Sequence, residues 1–308
     1  MQISFWANTG QSWGDLLDGC RHAEATGWDG IWVADHFMPQ PGGYGPEDEV
    51  GLDAELEPLL EGWSLLAALA AAVPRVRLGA MVTGITYRHP AVLANMAATI
   101  DHVSGGRLVL GIGAGWQENE HRRYGIDLGT ARERSDRFEE ACAVLSGLLT
   151  EDRTTFDGRY YQLDGAPCSP KPIQSPLPIL IGGGGEKRTL RTTARYAHEW
   201  NVWGTPEILT DKMAILDRHC AEVGRDPAEI RRSAAALLIF CDDEAHSDHL
   251  RNKMDNRGGL VGTVDQLRRR IDEYIDAGVD ELVVPDFTMT VDNRAETLDR
   301  FRTEILDR

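Results

Sequence analysis

The chain predicts an α/β protein: a single (β/α)8 barrel domain over residues 1–308, with insertion segments. Eight short apolar runs, nearly all followed by an amphipathic segment, give the length and alternation of a barrel. Several runs end in polar or glycine-rich clusters, at the carboxyl ends where α/β folds place their chemistry. No linker divides the chain, and nothing after the fourth run restarts a second half. The competing doubly wound dinucleotide fold is suggested by Gly111, Gly113 and Gly115. It fails at Trp116, where its fingerprint needs glycine or alanine.

Ile3 to Ala7 reads as the first strand. Trp13 to Thr26 is a helix with Leu16, Leu17, Cys20 and Ala23 on one face, closed by Gly27. Trp28 to Ala34 is the second strand, ending in Asp35-His36-Phe37. Met38 to Glu61 is rich in Pro, Gly and acid without periodicity, too long for an ordinary connection, and so a candidate lid loop. A helix over Trp63 to Ala72, a strand over Val76 to Val82 and a helix starting at Pro90 and running to His102 follow. Leu108 to Ile112 is the fourth strand, and Ala131 to Leu149 a long amphipathic helix. Residues 151–176 read as an insertion, with a hairpin turning at Asp157-Gly158. The fifth strand, Ile179 to Ile181, leads into four glycines and a helix over Lys187 to Ala197. Strand Trp200 to Trp203, helix Pro206 to Val223 and strand Ser233 to Cys241 come next. Asp242 to Arg257 reads as a polar segment and Gly258 to Gly262 as a loop. Thr263 caps a helix to Ala277, Leu282 to Val284 is the last strand, and Arg294 to Leu306 closes the chain.

A net charge of −17 argues against a nucleic-acid or anionic-membrane partner, because no long Lys/Arg run offsets the repulsion. Five scattered cysteines, with no C-x-x-C, argue against a disulfide frame or zinc knuckle and for a reducing, cytoplasmic setting. No stretch reads as an export signal or a membrane span.

The residues that say most are Gly182, Gly183, Gly184 and Gly185, placed where an apolar strand turns into a helix. Free backbone N–H groups and the positive end of the helix dipole converge there, and the missing side chains let a phosphate reach the backbone. Lys187 and Arg188 stand beside the run to add charge, and Glu186 is the objection to an anion. The run lacks the G-K-[ST] of a P-loop.

His36 leads the catalytic candidates, since imidazole titrates near neutral pH and this one stands at a strand's carboxyl end. Asp35 can orient it only if the chain has already left the sheet there, because strand neighbours face opposite ways. Gly115 to His121 crowds Trp116, Glu118, Asn119 and Glu120 into one loop, and the glutamates also suit the first turn of a helix. His246 and His249 have no third ligand nearby and read as surface groups, so no metal is expected.

Together GWDGIWVADHF (Gly27 to Phe37), Leu78 to Gly125, ILIGGGGEKRTL, ARYAHEWN (Ala194 to Asn201) and GTVDQLRRRIDEYIDAGVDELVV resemble the luciferase-like monooxygenase superfamily, in particular its F420-dependent oxidoreductases. The resemblance implies a luciferase-like TIM barrel holding the deazaflavin F420, or alternatively FMN, at the strands' carboxyl ends. It implies that Gly183, Gly184 and Gly185 hold the cofactor phosphate, that a cis peptide at Ala80-Met81 lies under the ring, and that Asp35, Thr83, Ala114, Gly115 and Asn119 belong to the cofactor site. His36 matches the histidine of the sugar-phosphate dehydrogenases, whereas Trp116 stands where those enzymes carry glutamate. That departure disfavours glucose 6-phosphate and leaves Glu118, Glu120 or His121 as the second acid/base group, with Trp116 shaping the pocket. The expected activity is hydride transfer between F420 and a small organic substrate. An FMN-dependent two-component monooxygenase and a non-catalytic cofactor-binding protein are the alternatives. A homodimer and a diffusible flavin or F420 reductase are the expected partners.

Overall fold

The structure is a computed structural model that describes residues 1–40, 56–254 and 257–307. Its elements begin with β1 (Gln2–Ala7), α1 (Trp13–Ala25), β2 (Gly30–Val33), α2 (Gly62–Ala72), β3 (Arg77–Ala80), a short β4 (Thr83–Gly84), α3 (Pro90–Ser104) and β5 (Leu108–Gly113). There follow α4 (Glu118–Tyr124), α5 (Ala131–Thr150), the pair β6 (Thr154–Asp157) and β7 (Gln162–Ala166), then β8 (Ile179–Gly182) and α6 (Thr189–Tyr196). The chain continues through β9 (Glu199–Trp203), α7 (Pro206–Val223), β10 (Arg231–Ala235), β11 (Leu237–Phe240), α8 (Glu244–Lys253) and β12 (Gly259–Gly262). It ends in α9 (Val264–Asp276), β13 (Glu281–Pro285), α10 (Val291–Arg300) and a π-helical turn over Phe301–Leu306.

Eight parallel strands, β1, β2, β3, β5, β8, β9, β10 and β13, close into the barrel that the alternating pattern predicts. Closure falls between β3 and β5, where Leu78 pairs with Leu108 and Gly79 with Val109. Glycine is needed at this seam. A Cβ on Gly111 would stand 1.8 Å from the Ala80 carbonyl oxygen, inside any permitted contact.

The apolar side chains divide between two layers. Inside the barrel pack Trp6, Trp32, Met81, Val109, Leu180 and Val283; outside, the strands' other faces meet the helices through residues such as Phe5, Ile31, Leu66, Leu110 and Leu145. The amino end of the barrel is plugged by ions. Arg77 donates to Glu281 at 3.1 Å and to Glu199, while Ser4 and Trp32 also donate to Glu281. With that end closed by satisfied charges, the open carboxyl end is left for chemistry.

The caps follow the sequence closely. His89 caps α3 ahead of Pro90, Gly105 ends it at φ +69°, and capping boxes at Thr130 and Thr263 start α5 and α9. The insertion is the antiparallel β6–β7 hairpin, with a register shift between Thr154 and Phe156.

Three expectations change near the end of the chain. The strand expected over Ser233 to Cys241 breaks at Ala236 into β10, in the barrel, and β11, outside it. Gly258 to Gly262, expected as a loop, is β12 from Gly259, parallel to β11. The polar segment Asp242 to Arg257 contains α8, capped by Asp243, with His246 and His249 both exposed. Leu237, Cys241, Leu250, Met254 and Val261 give this satellite its own small core. The candidate lid, residues 38–61, has its middle at 41–55, outside the described residues. Among the described residues no helix is long and apolar enough to cross a membrane, and all five cysteines are buried and free.

Candidate active site

A cavity of about 560 Å³ opens at the carboxyl ends of the strands. That volume lies within the range of small-molecule and cofactor sites. Its floor is aromatic: Trp6 from β1 meets Trp203 from β9 with ring centroids 5.8 Å apart, and Phe287 at 5.3 Å. Met81 and Val82 form another wall, and the peptide bond between them is cis, one residue beyond the Ala80-Met81 step expected.

One end of the cavity is the glycine run, Gly182 to Gly185, with Thr189 at the start of α6. The loop is fastened from below. The Gly183 amide donates to the Asn201 carbonyl at 2.9 Å, and Trp200 Nε1 donates to the Gly183 carbonyl at 2.9 Å. Gly183 sits at φ +120°, a region that favours glycine. Among the described residues nothing accepts from the amides of Gly184 and Gly185. Two free N–H groups beside a helix start, in a cradle without side chains, fit a phosphate.

The cations expected there are elsewhere. Lys187 is exposed, and Arg188 turns out onto α5, where Asp136 holds it at 2.5 Å and Glu139 at 3.3 Å. Lys212 of α7 stands close to the glycines: its Cε would lie 3.7 Å from a Cβ on Gly184. Its ammonium pairs with Glu186 at 2.6 Å and holds that carboxyl below its usual range. Glu186, the objection to an anion, is thus neutralised in place.

At the other end His36 lines the cavity, with Ala34, Tyr87, Ala114, Gly115 and Trp116 around it. Trp116 is half-exposed and presents its ring edge-on to His36, centroids 5.5 Å apart. A second cavity of about 340 Å³, walled by Phe37, Leu59, Glu61, Tyr124 and Ile126, also borders His36.

His36 is oriented by Glu120, not by its sequence neighbour. Its Nδ1 lies 2.7 Å from Glu120 Oε1, and the Phe37 amide donates to Oε2 at 2.7 Å. The Tyr87 hydroxyl donates to the same Oε1. Burial pushes the Glu120 carboxyl up, but the bonds from His36, Tyr87 and Phe37 outweigh it and hold the group below the usual range. Tyr87 shifts the other way, raised by burial and by Glu120.

Asp35 belongs to a different network. Fully buried, it takes Arg88 Nη1 at 2.6 Å and Nη2 at 3.1 Å. Thr83, also fully buried, accepts from Trp63 Nε1 at 2.8 Å. Both stand beneath the cavity, not in its wall. Ala80 is likewise buried in β3. Asn119 is buried and donates to the Pro39 carbonyl at 3.1 Å, so it ties down the segment after His36. Glu118 opens α4 on an exposed face, off the cavity. Of the two carboxylates in that turn, the buried Glu120 is the one turned to His36.

The structure therefore gathers His36, Met81, Ala114, Gly115, Trp116 and the four glycines around one space. It leaves Asp35, Thr83, Ala80, Asn119, Glu118, Lys187 and Arg188 outside it. Sequence reasoning missed Trp6, Val82, Tyr87, Asn201, Trp203 and Arg257, which also line it. Trp203 ends a predicted strand in a polar stretch, and that was the available signal.

Comparison with known proteins agrees with this geometry. A family model described as luciferase-like monooxygenase matches residues 1–249. The F420-dependent glucose-6-phosphate dehydrogenase of Amycolatopsis mediterranei is 35% identical over 250 residues, 77% of this chain and 68% of that one. The phthiodiolone/phenolphthiodiolone dimycocerosates ketoreductase of Mycobacterium kansasii is 32% identical over 227 residues, 70% of this chain and 61% of that one. Among solved structures, an F420-dependent secondary alcohol dehydrogenase in complex with an F420-acetone adduct superposes with a TM-score of 0.83 at 20% identity. It covers 99% of this chain and 98% of the other.

Proposed function

Because the chain belongs to the luciferase-like monooxygenase family and is an F420-dependent oxidoreductase within it, we propose that His36 is the proton donor or acceptor for a small organic substrate reacting in the 560 Å³ cavity. The observation that carries the reading is one continuous cavity with free backbone amides at one end and a polarised imidazole at the other. When bound, F420 supplies a ring carbon that takes or gives a hydride. Every other task falls to the chain.

Gly184 and Gly185 hold the cofactor phosphate through their amides, with Gly183 shaping the turn and Lys212 close by. Trp6, Met81, Val82 and Trp203 give the flat ring an apolar bed, and Ala114 and Gly115 line the passage towards His36. Trp116 walls the substrate and keeps water away from the imidazole, which sharpens each electrostatic contact inside. His36 moves the proton, held by Glu120, a task that typically contributes about 10²–10⁴-fold in rate.

A diffusible reductase recycles the cofactor in this reading, and a homodimer in a reducing, cytoplasmic setting is the assembly to look for. Five buried, unpaired cysteines support the reducing setting.

Fluorescence titration of the purified protein with F420 and, separately, FMN at several salt concentrations tests the assignment. Tight F420 binding that weakens with salt, and weak FMN binding, is the expected result. The reverse order points to oxygen-dependent flavin chemistry with a partner reductase. Binding of neither removes the phosphate role of the glycine run, and a His36→Asn variant with unchanged turnover removes the proton role.

A further inference from the structure

We propose that Glu120 is a positioning residue that fixes the ring proton of His36 on Nδ1 and leaves Nε2 as the acceptor for a substrate hydroxyl. The inference rests on His36 being the proton-transfer group and adds which atom does the work.

The Glu120 side chain is fully buried, and three groups from two loops converge on it: His36 Nδ1 at 2.7 Å and the Phe37 amide at 2.7 Å from the loop after β2, and the Tyr87 hydroxyl from the loop before α3. The amide can only donate, so Oε2 is an acceptor. Oε1 faces both the phenol and the imidazole. An ionised carboxylate has no proton to give, so the imidazole nitrogen facing it must be the one that carries hydrogen. The alternative, a protonated Glu120 donating to a bare Nδ1, would displace the phenol from its short contact with Oε1 and leave it only the longer one to Nδ1 itself, 3.4 Å away.

The supports make this arrangement stiff. Tyr87 stacks on His121, centroids 4.9 Å apart at 28°, and meets the edge of Phe37 at 5.0 Å. His121 is itself pinned, with Nδ1 2.7 Å from the Gln117 carbonyl and Nε2 2.7 Å from Thr86 Oγ1. Since the carbonyl can only accept, His121 Nδ1 carries the hydrogen and Nε2 accepts from the threonine. The loops after β2 and before α3 are thereby fastened to α4. Oriented ligating and catalytic imidazoles commonly depend on such a partner for tautomer and ring angle.

The consequence concerns His36 Nε2, for which no partner is recorded among the described residues. In the neutral ring this atom holds a lone pair, so neutral His36 is set to take a proton from a hydroxyl. The positive charge that then forms on the ring faces the Glu120 carboxylate. Delivery of a proton in the opposite direction needs a ring that has first been charged.

The test is ¹⁵N NMR of the apo-protein with labelled histidine, the His36 signals being identified by their loss in His36→Gln. In the neutral ring, Nδ1 is expected to show the protonated signature and Nε2 the unprotonated one. A wild-type spectrum with the proton on Nε2 overturns the proposal without any variant being needed. Glu120→Ala is expected to shift the ring towards the Nε2–H form, whereas Tyr87→Phe, which leaves the carboxylate in place, should keep Nδ1–H. An unchanged Nδ1–H population in folded Glu120→Ala also overturns it. No cofactor enters these measurements, so their failure is distinguishable from a failure to bind F420.

Discussion

Arg88 grips Asp35 in a two-pronged contact, Nη1 to Oδ2 at 2.6 Å and Nη2 to Oδ1 at 3.1 Å, and reaches Glu61 as well. The pair lies beneath the turn that delivers His36, so it joins the end of β2 to the loop before α3 and to the cap of α2. The site's geometry is thus fixed by a charge that never meets the cavity.

Removing the guanidinium leaves a buried carboxylate without its counter-charge. Arg88→Met should therefore lose about 3–5 kcal/mol of stability in urea titrations near neutral pH. Burial already raises the Asp35 pKa, with Arg88 opposing that effect. A raised folded pKa gives a contribution that is full below the usual value of 3.8 and is lost as pH rises. The deficit of Arg88→Met should accordingly be larger at pH 8 than at pH 5. An equal deficit at both would mean that Asp35 is not the charge left exposed to desolvation.

Glu120 gives the opposite slope. Its folded pKa lies below the usual 4.5, so its stabilisation is full above that value and disappears as pH falls through the depressed folded value. Thermal unfolding of Glu120→Gln should show a lower midpoint than wild type at pH 7, with the difference shrinking as pH falls below 4.5. A wild-type midpoint no higher than the variant's at pH 7 would show that the carboxylate is not held ionised by its three donors.

The barrel was legible because its signals are local. Strand-to-helix alternation, Pro90 at a helix start and the glycine run each announce themselves within a dozen residues, and each stands where it was expected. The partner of His36 was not legible: Glu120 is 84 positions away, and only the tertiary fold distinguishes it from Glu118 two residues earlier. Arg188 misled for a related reason. A cation beside a phosphate loop looks like a phosphate ligand until the fold supplies Asp136 and Glu139 on a neighbouring helix. Trp6 was hidden by its strand, since an inward-facing tryptophan reads as core until the barrel end is seen to be open.

Gly183 isolates the phosphate loop from the rest of the fold. At φ +120° a side chain is strained, although a Cβ there would meet only Thr189 Cγ2 at an ordinary 3.5 Å. Gly183→Ala should cost about 1–3 kcal/mol if the loop keeps its shape. If the loop relaxes instead, its amides turn away from the cavity. Calorimetric titration should then show F420 affinity reduced by tenfold or more with the circular dichroism spectrum unchanged. Unaltered affinity would place the phosphate elsewhere.

Lys212 and Glu186 offer the sharpest test of how an acidic protein holds an anion. The chain carries a net charge of −17, so a bound phosphate must be favoured by its immediate surroundings against the field of the whole molecule. The glycine amides supply part of that, and the Lys212 stem runs along Gly184 to reach Glu186 at 2.6 Å. Lys212→Ala removes the cation and also leaves the Glu186 charge uncompensated, so both changes repel the ligand. Affinity for F420 should fall several-fold at low salt, and the difference from wild type should shrink as salt rises, because exposed charges are screened over about 10 Å at 0.1 M ionic strength. Glu186→Gln releases Lys212 towards the loop and should tighten binding. The double variant should lie near Lys212→Ala if the carboxylate acts only through the lysine, and above it if Glu186 repels the phosphate directly. Titrations of the three variants against wild type at low and high salt decide between these. A Lys212→Ala variant that binds as tightly as wild type at low salt would show that Lys212 takes no part in phosphate recognition.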